Sequence, residues 1–421
     1  MWRLFMRKNM IMIILYFFIQ GIVHNLGHPV TPYFVEDLGI SDYMFGLFFS
    51  AMSLGLMIGA PLWGILSDRG HRKLYIAIGL IIYSLGQIAF GYVGNATWMV
   101  IFRLISGFGV VSGITIMTAI VIEQTHPSER AKLLAFLAAS STLGASLGYF
   151  FGGQLGKHID WFSFLGNVSY AHIFLVQGLL NGLYVLLIIL TLKDVEVKFA
   201  PRERTSVFKG LKSLSKMDSS LLLFMLSLTL MNIGSTNLSK YIDVYFKELG
   251  YTTDDLGTYV MVTGIVSLLA SIFLVKHVAK FKKQLGFIGF IQFSSAIIVF
   301  IVFRANQVLL ALYTLYMVYV ILRTLYTPLE QNYIAKQAKE GMYGSVMGVR
   351  QSFVSLGMVL GPLIGGFLYE ISPLLLFDFN AFTFLLGLLL LYFVWLIEMG
   401  RKKRLNQANE IMNATAVDDL N

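Results

Sequence analysis

Polar and ionisable residues recur at helical spacing inside otherwise apolar sequence. Gln20, His24, His28 and Thr31 step by 4, 4 and 3, as do Asn232, Thr236, Lys240 and Asp243, 212 residues later. Such stepping puts each set on one helix face. Tyr313, Tyr316, Arg323, Thr327 and Glu330 make a third stripe. Arg103 precedes Gly107, Gly109 and Gly113. These groups can carry protons or read charge. Histidine titrates near neutral pH, and burial raises a carboxylate into reach, so Glu330, His24, His28 and Asp243 are candidates for proton handling. Arg323 would discriminate a bound molecule by charge. His24 and His28 stand at i,i+4, a possible metal pair, but no His-Glu-x-x-His pattern accompanies them. No convergent nucleophile or acid/base set is apparent. Neither an enzyme, a metal nor a cofactor is expected. Plainer readings exist too. Lys240 and Asp243 are spaced to pair with each other. Arg350 is near enough to a helix end to snorkel. Glu330 could be the structural partner of a basic group.

The elements that position these residues must lie in a membrane. The chain of 421 residues is 57% apolar and 13% charged, without cysteine. Soluble domains run near 25% charged. Apolar runs of about 20 residues, enough to cross a bilayer, predict twelve spans at 9–32, 43–66, 74–93, 97–122, 132–153, 171–192, 219–242, 257–275, 284–303, 307–334, 343–368 and 374–397. The first is read as an uncleaved span, because its apolar stretch is too long for a signal peptide. With the N-terminus inside, 25 of the 32 Lys and Arg residues fall in cytoplasmic segments and 3 outside, namely Lys157, Lys247 and Arg304. The positive-inside rule then places both termini in the cytoplasm of a multi-pass plasma-membrane protein. The net charge of +9 marks an inner membrane face and not nucleic acid. A polar stripe in such a span must face protein or water.

The chain also repeats. Tyr33-Phe-Val-Glu-Asp-Leu-Gly39 is echoed by Tyr245-Phe-Lys-Glu-Leu-Gly250, and the glycines Gly144, Gly148, Gly152 and Gly153 by Gly357, Gly361, Gly365 and Gly366, with Pro362 beside them. An all-α membrane fold of two pseudo-symmetric six-helix bundles follows, with a binding site at the repeat interface. The bundles are read as 1–192 and 219–397, joined by a cytoplasmic linker at 193–218 and followed by a cytoplasmic tail at 398–421 that is polar and disordered after Arg404. In the linker, Val207, Phe208, Leu211 and Leu214 have the spacing of a basic amphipathic helix on the inner leaflet; a solvated linker fits equally. The glycines permit close helix approach, either as a moving seam between the bundles or as static packing.

Gly64-Ile-Leu-Ser-Asp-Arg-Gly-His-Arg-Lys73 sets an acid and three fixed cations in a short hairpin between two spans. It resembles the signature loop of the major facilitator superfamily, with His71 where glycine is usual and Gly70 one residue early. Pro32 to Gly39, Gly46, Pro61-Leu-Trp-Gly64, Arg103-Leu-Ile-Ser-Gly107 and Gly144 to Gly153 resemble the twelve-span drug:proton antiporter branch, although Tyr149 replaces that branch's span-five proline. The resemblance implies the major facilitator fold and an alternating-access secondary transporter. It implies proton-coupled efflux of drug-like or amphipathic molecules by a monomer, with Arg103 tied to proton coupling. It implies a cavity lined by spans one, four, seven and ten, using Gln20, His24, His28, Thr31, Arg103, Asn232, Thr236, Lys240, Tyr313, Tyr316, Arg323 and Thr327. It also implies a conformational latch of Gly64, Asp68, Arg69, Arg72, Lys73 and Glu123 with the helix start at Gly344 and Ser345. A same-fold alternative is a transporter of a small anionic metabolite or sugar.

Overall fold

A computed structural model describes residues 2–68, 70–192, 218–278, 283–337 and 343–418. Twelve principal helices run through them: α1 (Trp2–Asn25), α2 (Asp42–Ser67), α3 (Arg72–Tyr92), α4 (Ala96–Gln124), α5 (Pro127–Lys157), α6 (Ala171–Thr191), α7 (Ser219–Glu248), α8 (Thr253–Phe273), α9 (Gln284–Val302), α10 (Leu315–Gln337), α11 (Tyr343–Ile371) and α12 (Pro373–Asp418). Eleven stretches among the described residues are long and apolar enough to cross a membrane; the apolar part of α1, Met10–Asn25, is shorter. The outer faces are greasy, with Leu190 73% exposed and Leu183 63%. A surface of that kind suits lipid, not water.

Local chemistry sets the helix ends. The Ser41 side chain accepts from Tyr43 N, and Asn95 from Thr97 and Trp98 N, so each supplies an orphan amide with an acceptor. Thr252 and Asp255 form a capping box at the head of α8. The first span departs from its predicted end at 32. Helix α1 stops at Asn25, residues 26–30 form a turn, and a short helix, Thr31–Asp37, follows. Pro29 and Pro32 lack the amide protons a continuing helix needs. His28 and Thr31 therefore do not share the face of Gln20 and His24. Likewise Tyr313 ends a separate short helix, Val308–Tyr313, before α10. The last helix continues past the predicted boundary at 397, and the tail expected to be disordered is helical to Asp418. The amphipathic stretch around Val207 and Leu214 lies outside the described residues.

Helices α1–α6 form one half and α7–α12 the other. In the first half, α1 packs on α5. A Cβ on Gly144, Gly148 or Gly152 would collide with the backbone carbonyls of Phe18, Ile22 or Leu26. In the second half α11 packs on α7 in the same way, with Gly357 against Thr229 and Gly361 against Ile233. Gly365 meets Asn237 and Tyr241. These glycines therefore tighten each half internally. Only the ends of the two runs cross the seam: Gly153 against Thr253 of α8, and Gly366 against Tyr43 of α2. Pro362 joins them, since its carbonyl abuts Gly46 of α2.

The two ends of the molecule are tied differently. One carries the basic segments; the other carries Lys157, Lys247 and Arg304. At that sparsely basic end Lys157 pairs with Asp254 at 2.7 Å, and Lys247 with Asp42 at 3.2 Å and Glu36 at 3.7 Å. Tyr33 donates to Tyr251 O at 2.6 Å and Ser41 to Glu370 at 2.7 Å. All of these join the halves. At the basic end, Arg72–Glu123, Arg350–Glu330 and Arg401–Asp218 each stay within one half.

Candidate functional site

A cavity of about 750 Å³ lies along the seam. Its wall comes from α7, α8, α10 and α11, with Tyr149 of α5 as the contribution of the first half. Helix α7 supplies Asn232, Thr236, Lys240 and Asp243; α10 supplies Tyr316, Tyr319, Arg323, Thr327 and Glu330; α11 supplies Arg350. The expectation that spans one, four, seven and ten line it needs correcting, because α8 and α11 take the place of α1 and α4. The α8 residues Tyr259, Thr263 and Ser267 line it, at a spacing of four residues. That polar stripe is legible in the sequence.

At the end of the cavity nearest the sparsely basic end, a polar cluster spans the halves. Tyr149 OH donates to Asp243 Oδ2 at 3.0 Å and sits 3.4 Å from Lys240 Nζ. Lys240 also donates to His28 Nδ1 at 3.4 Å, and its ammonium lies 4.3 Å from the centre of the Phe49 ring. The His28 ring is stacked between Phe49 and Tyr149. His28 and Lys240 are repeat equivalents, 212 residues apart. The duplication has brought matching positions together across the pseudo-symmetry axis. Asp243 is buried, and its second oxygen, Oδ1, has no partner. The expected i,i+3 pairing of Lys240 with Asp243 is replaced by contacts from the other half. Tyr149, the residue that departs from the family's proline, makes the link.

Deeper toward the basic end, Arg350 grips Glu330 through Nε, 2.9 Å from both carboxylate oxygens, and through a further bond to Oε1. Both side chains are buried. Arg350 thus does not snorkel; it closes a bidentate pair on an acid of the neighbouring helix. Between the two clusters Arg323 donates to Asn232 Oδ1 at 3.0 Å and to Thr327 Oγ1 at 3.4 Å.

The remaining polar residues of the first half sit inside its own bundle. His24 Nε2 donates to Asn181 Oδ1 at 2.8 Å, and the ring packs on Tyr83. Gln20 Nε2 reaches Val110 O at 3.5 Å. Thr31 bonds back to Gly27 O at 2.6 Å. Arg103 is 3% exposed; it donates to Gln87 at 3.3 Å and lies 3.8 Å from the centre of the Phe90 ring. None of the four lines the cavity. Tyr313 lies behind the wall, 5.4 Å from Tyr259.

The charged hairpin is held by Arg72, which is 1% exposed and pairs with Glu123 at 2.7 Å. Asp68 caps α2 and is exposed, with no side-chain partner among the described residues. Gly70 and His71 both have positive φ, 95° and 53°. His71 occupies the left-handed conformation natural to the glycine it replaces. Arg69, and the side-chain surroundings of Gly344 and Ser345, lie outside the described residues.

The sequence profile of the Major Facilitator Superfamily matches residues 10–322 and 248–415. The chain is 25% identical over 364 residues to the quinolone resistance protein NorA of Staphylococcus aureus, covering 85% of this chain and 89% of that protein. It is 27% identical over 368 residues to the multi-drug resistance efflux pump PmrA homolog of Lactococcus lactis, covering 83% and 85%. Among solved structures, a bacterial homolog of the human lysosomal transporter Spinster aligns with a TM-score of 0.74 at 14% identity, covering 92% and 95%. The nucleoside transporter NupG aligns with a TM-score of 0.70 at 14% identity, covering 93% and 99%.

Proposed function

Since the chain belongs to the major facilitator superfamily, we propose that it is an alternating-access secondary transporter exporting drug-like or amphipathic small molecules against proton entry. The carrying observation is the cavity on the seam, walled by tyrosines, aliphatic side chains and a few charges, between halves tied together at the sparsely basic end. Taking the basic end as cytoplasmic, this is the arrangement of an inward-facing state, with both termini in the cytoplasm and the protein in the plasma membrane. Efflux of chemically varied compounds fits the similarity to NorA and PmrA.

Asp243 is the best-placed proton carrier in this reading. Glu330, the stronger candidate by depth alone, is fully engaged by Arg350. Asp243 has a free oxygen, faces the cavity and holds Tyr149 of the other half. A proton arriving there changes a contact that exists only while the halves are closed at that end. Arg103 and His24 take supporting places in the first half. Asp68, Arg72 and Glu123 make the latch, with Asp68 awaiting the start of α11 in the opposite state. A helix N-terminus attracts a carboxylate by roughly 0.3–2 kcal/mol, enough to bias a near-balanced equilibrium.

The test is flux in proteoliposomes holding the purified full-length protein. An imposed pH gradient is expected to drive accumulation of at least one of two aromatic dyes of opposite charge, cationic ethidium or anionic 1-anilinonaphthalene-8-sulfonate, and a protonophore to abolish it. Accumulation that is equal with and without the gradient would refute proton coupling, and absence of any dye flux would refute the efflux reading.

A further inference from the structure

The charges lining the cavity do not cancel. Glu330 is consumed by Arg350, and Asp243 lies one turn from Lys240 on α7. Arg323 is left over. Its two side-chain bonds go to the neutral oxygens of Asn232 and Thr327, and it forms no ion pair among the described residues. A guanidinium carries five N–H donors in a rigid fork that matches a carboxylate. Two of them are committed here, so others remain for a ligand. The Tyr326 ring, 5.5 Å from the guanidinium carbon, supports the cation through its π face. A lone cation in low-dielectric surroundings is costly until an anion or water offsets it.

The wall beside Arg323 is aromatic. Tyr319 stands one turn away on α10, and Tyr316 about 10 Å away at 1.5 Å per residue. The Tyr316 and Tyr319 rings lie 4.9 Å apart with their planes tilted by 44°, and Tyr259 of α8 adjoins Tyr316 at 6.4 Å. Together these residues offer one charged grip and one aromatic wall.

We propose that the cavity selects amphipathic aromatic monoanions, the carboxylate being held by Arg323 and the aromatic body lying against Tyr316 and Tyr319. Asn232 and Thr327 set the plane of the guanidinium. This names the cargo class of the site and rests on the transport reading above.

The test compares binding of 2-naphthoate and 2-naphthamide, equal in shape and different in charge, to the purified full-length protein. The wild type is expected to bind the carboxylate at least about tenfold tighter, the usual scale of a charge-assisted contact. Arg323→Gln is expected to bring the ratio close to one while amide affinity and thermal midpoint are retained. Arg323→Lys keeps the charge and loses the fork, so it should fall between the two. A wild-type ratio near one, no naphthoate binding, or full preference in Arg323→Gln would overturn the proposal. Flux of 2-naphthoate and of 2-naphthamide under a pH gradient is read in parallel. Flux without carboxylate preference defeats the anion assignment and leaves efflux standing; carboxylate preference without flux of either compound defeats the transport reading instead.

Discussion

Single side chains decide which charges are free to act. Asp243→Asn is expected to keep its acceptor for Tyr149 and so leave folding and downhill exchange intact, while pH-gradient-driven accumulation is lost. Retained uphill flux in this variant would move the proton to His28 or Glu330. Glu330→Gln should behave differently, since Arg350 would be left buried without its anion. Breaking a buried pair costs about 3–5 kcal/mol, so its thermal midpoint should drop, and adding Arg350→Met should recover most of that loss. Equal midpoints for Glu330→Gln and wild type would contradict the assignment. The residues themselves were legible in the sequence, because ionisable groups are rare in apolar spans. Their partners were not. Periodicity along one helix carries no information on what faces it, so Arg350 for Glu330, Asn232 for Arg323 and Tyr149 for Asp243 emerge only from the packing.

At the scale of helices, the glycine runs show the same limit. A four-residue glycine period says that something approaches closely, and it reads alike whether the neighbour lies in the same half or across the seam. Most of these glycines turn out to pack within a half. Gly152→Val is therefore expected to destabilise the α1–α5 pair by about 1–3 kcal/mol or more, the scale of overpacking. A Cβ at Gly286 meets nothing within 4 Å, so Gly286→Ala should be neutral or gain about 0.5–1 kcal/mol from helix propensity. Thermal unfolding of the two variants in one detergent checks both, and a reversed order would contradict the packing. The break after Asn25 also had a visible signal in Pro29 and Pro32. Hydropathy alone runs through it, because the turn is as apolar as the helix before it. The positive φ of His71 is the structural expression of the glycine shifted by one place in the hairpin.

For the whole molecule, the two-half plan was readable from repeats, span lengths and the distribution of Lys and Arg. The conformational state was not, because it depends on contacts between residues far apart in sequence. Two of the three cations at the sparsely basic end bridge the halves, so in the proposed alternating-access reading that end is the closed, charge-assisted gate. Alternating access requires the gate to open as the basic end closes. With no native cysteine, the chain can take spin labels at chosen exposed sites: Asp37 and Leu249 across the gate, Glu129 and Gln337 across the basic end. The most direct measurement is the distance distribution of each pair in lipid, across pH and with or without cargo. The account predicts that the Asp37–Leu249 distance grows while the Glu129–Gln337 distance shrinks, in one population shift. Both distances staying fixed, or both moving in the same direction, would contradict it.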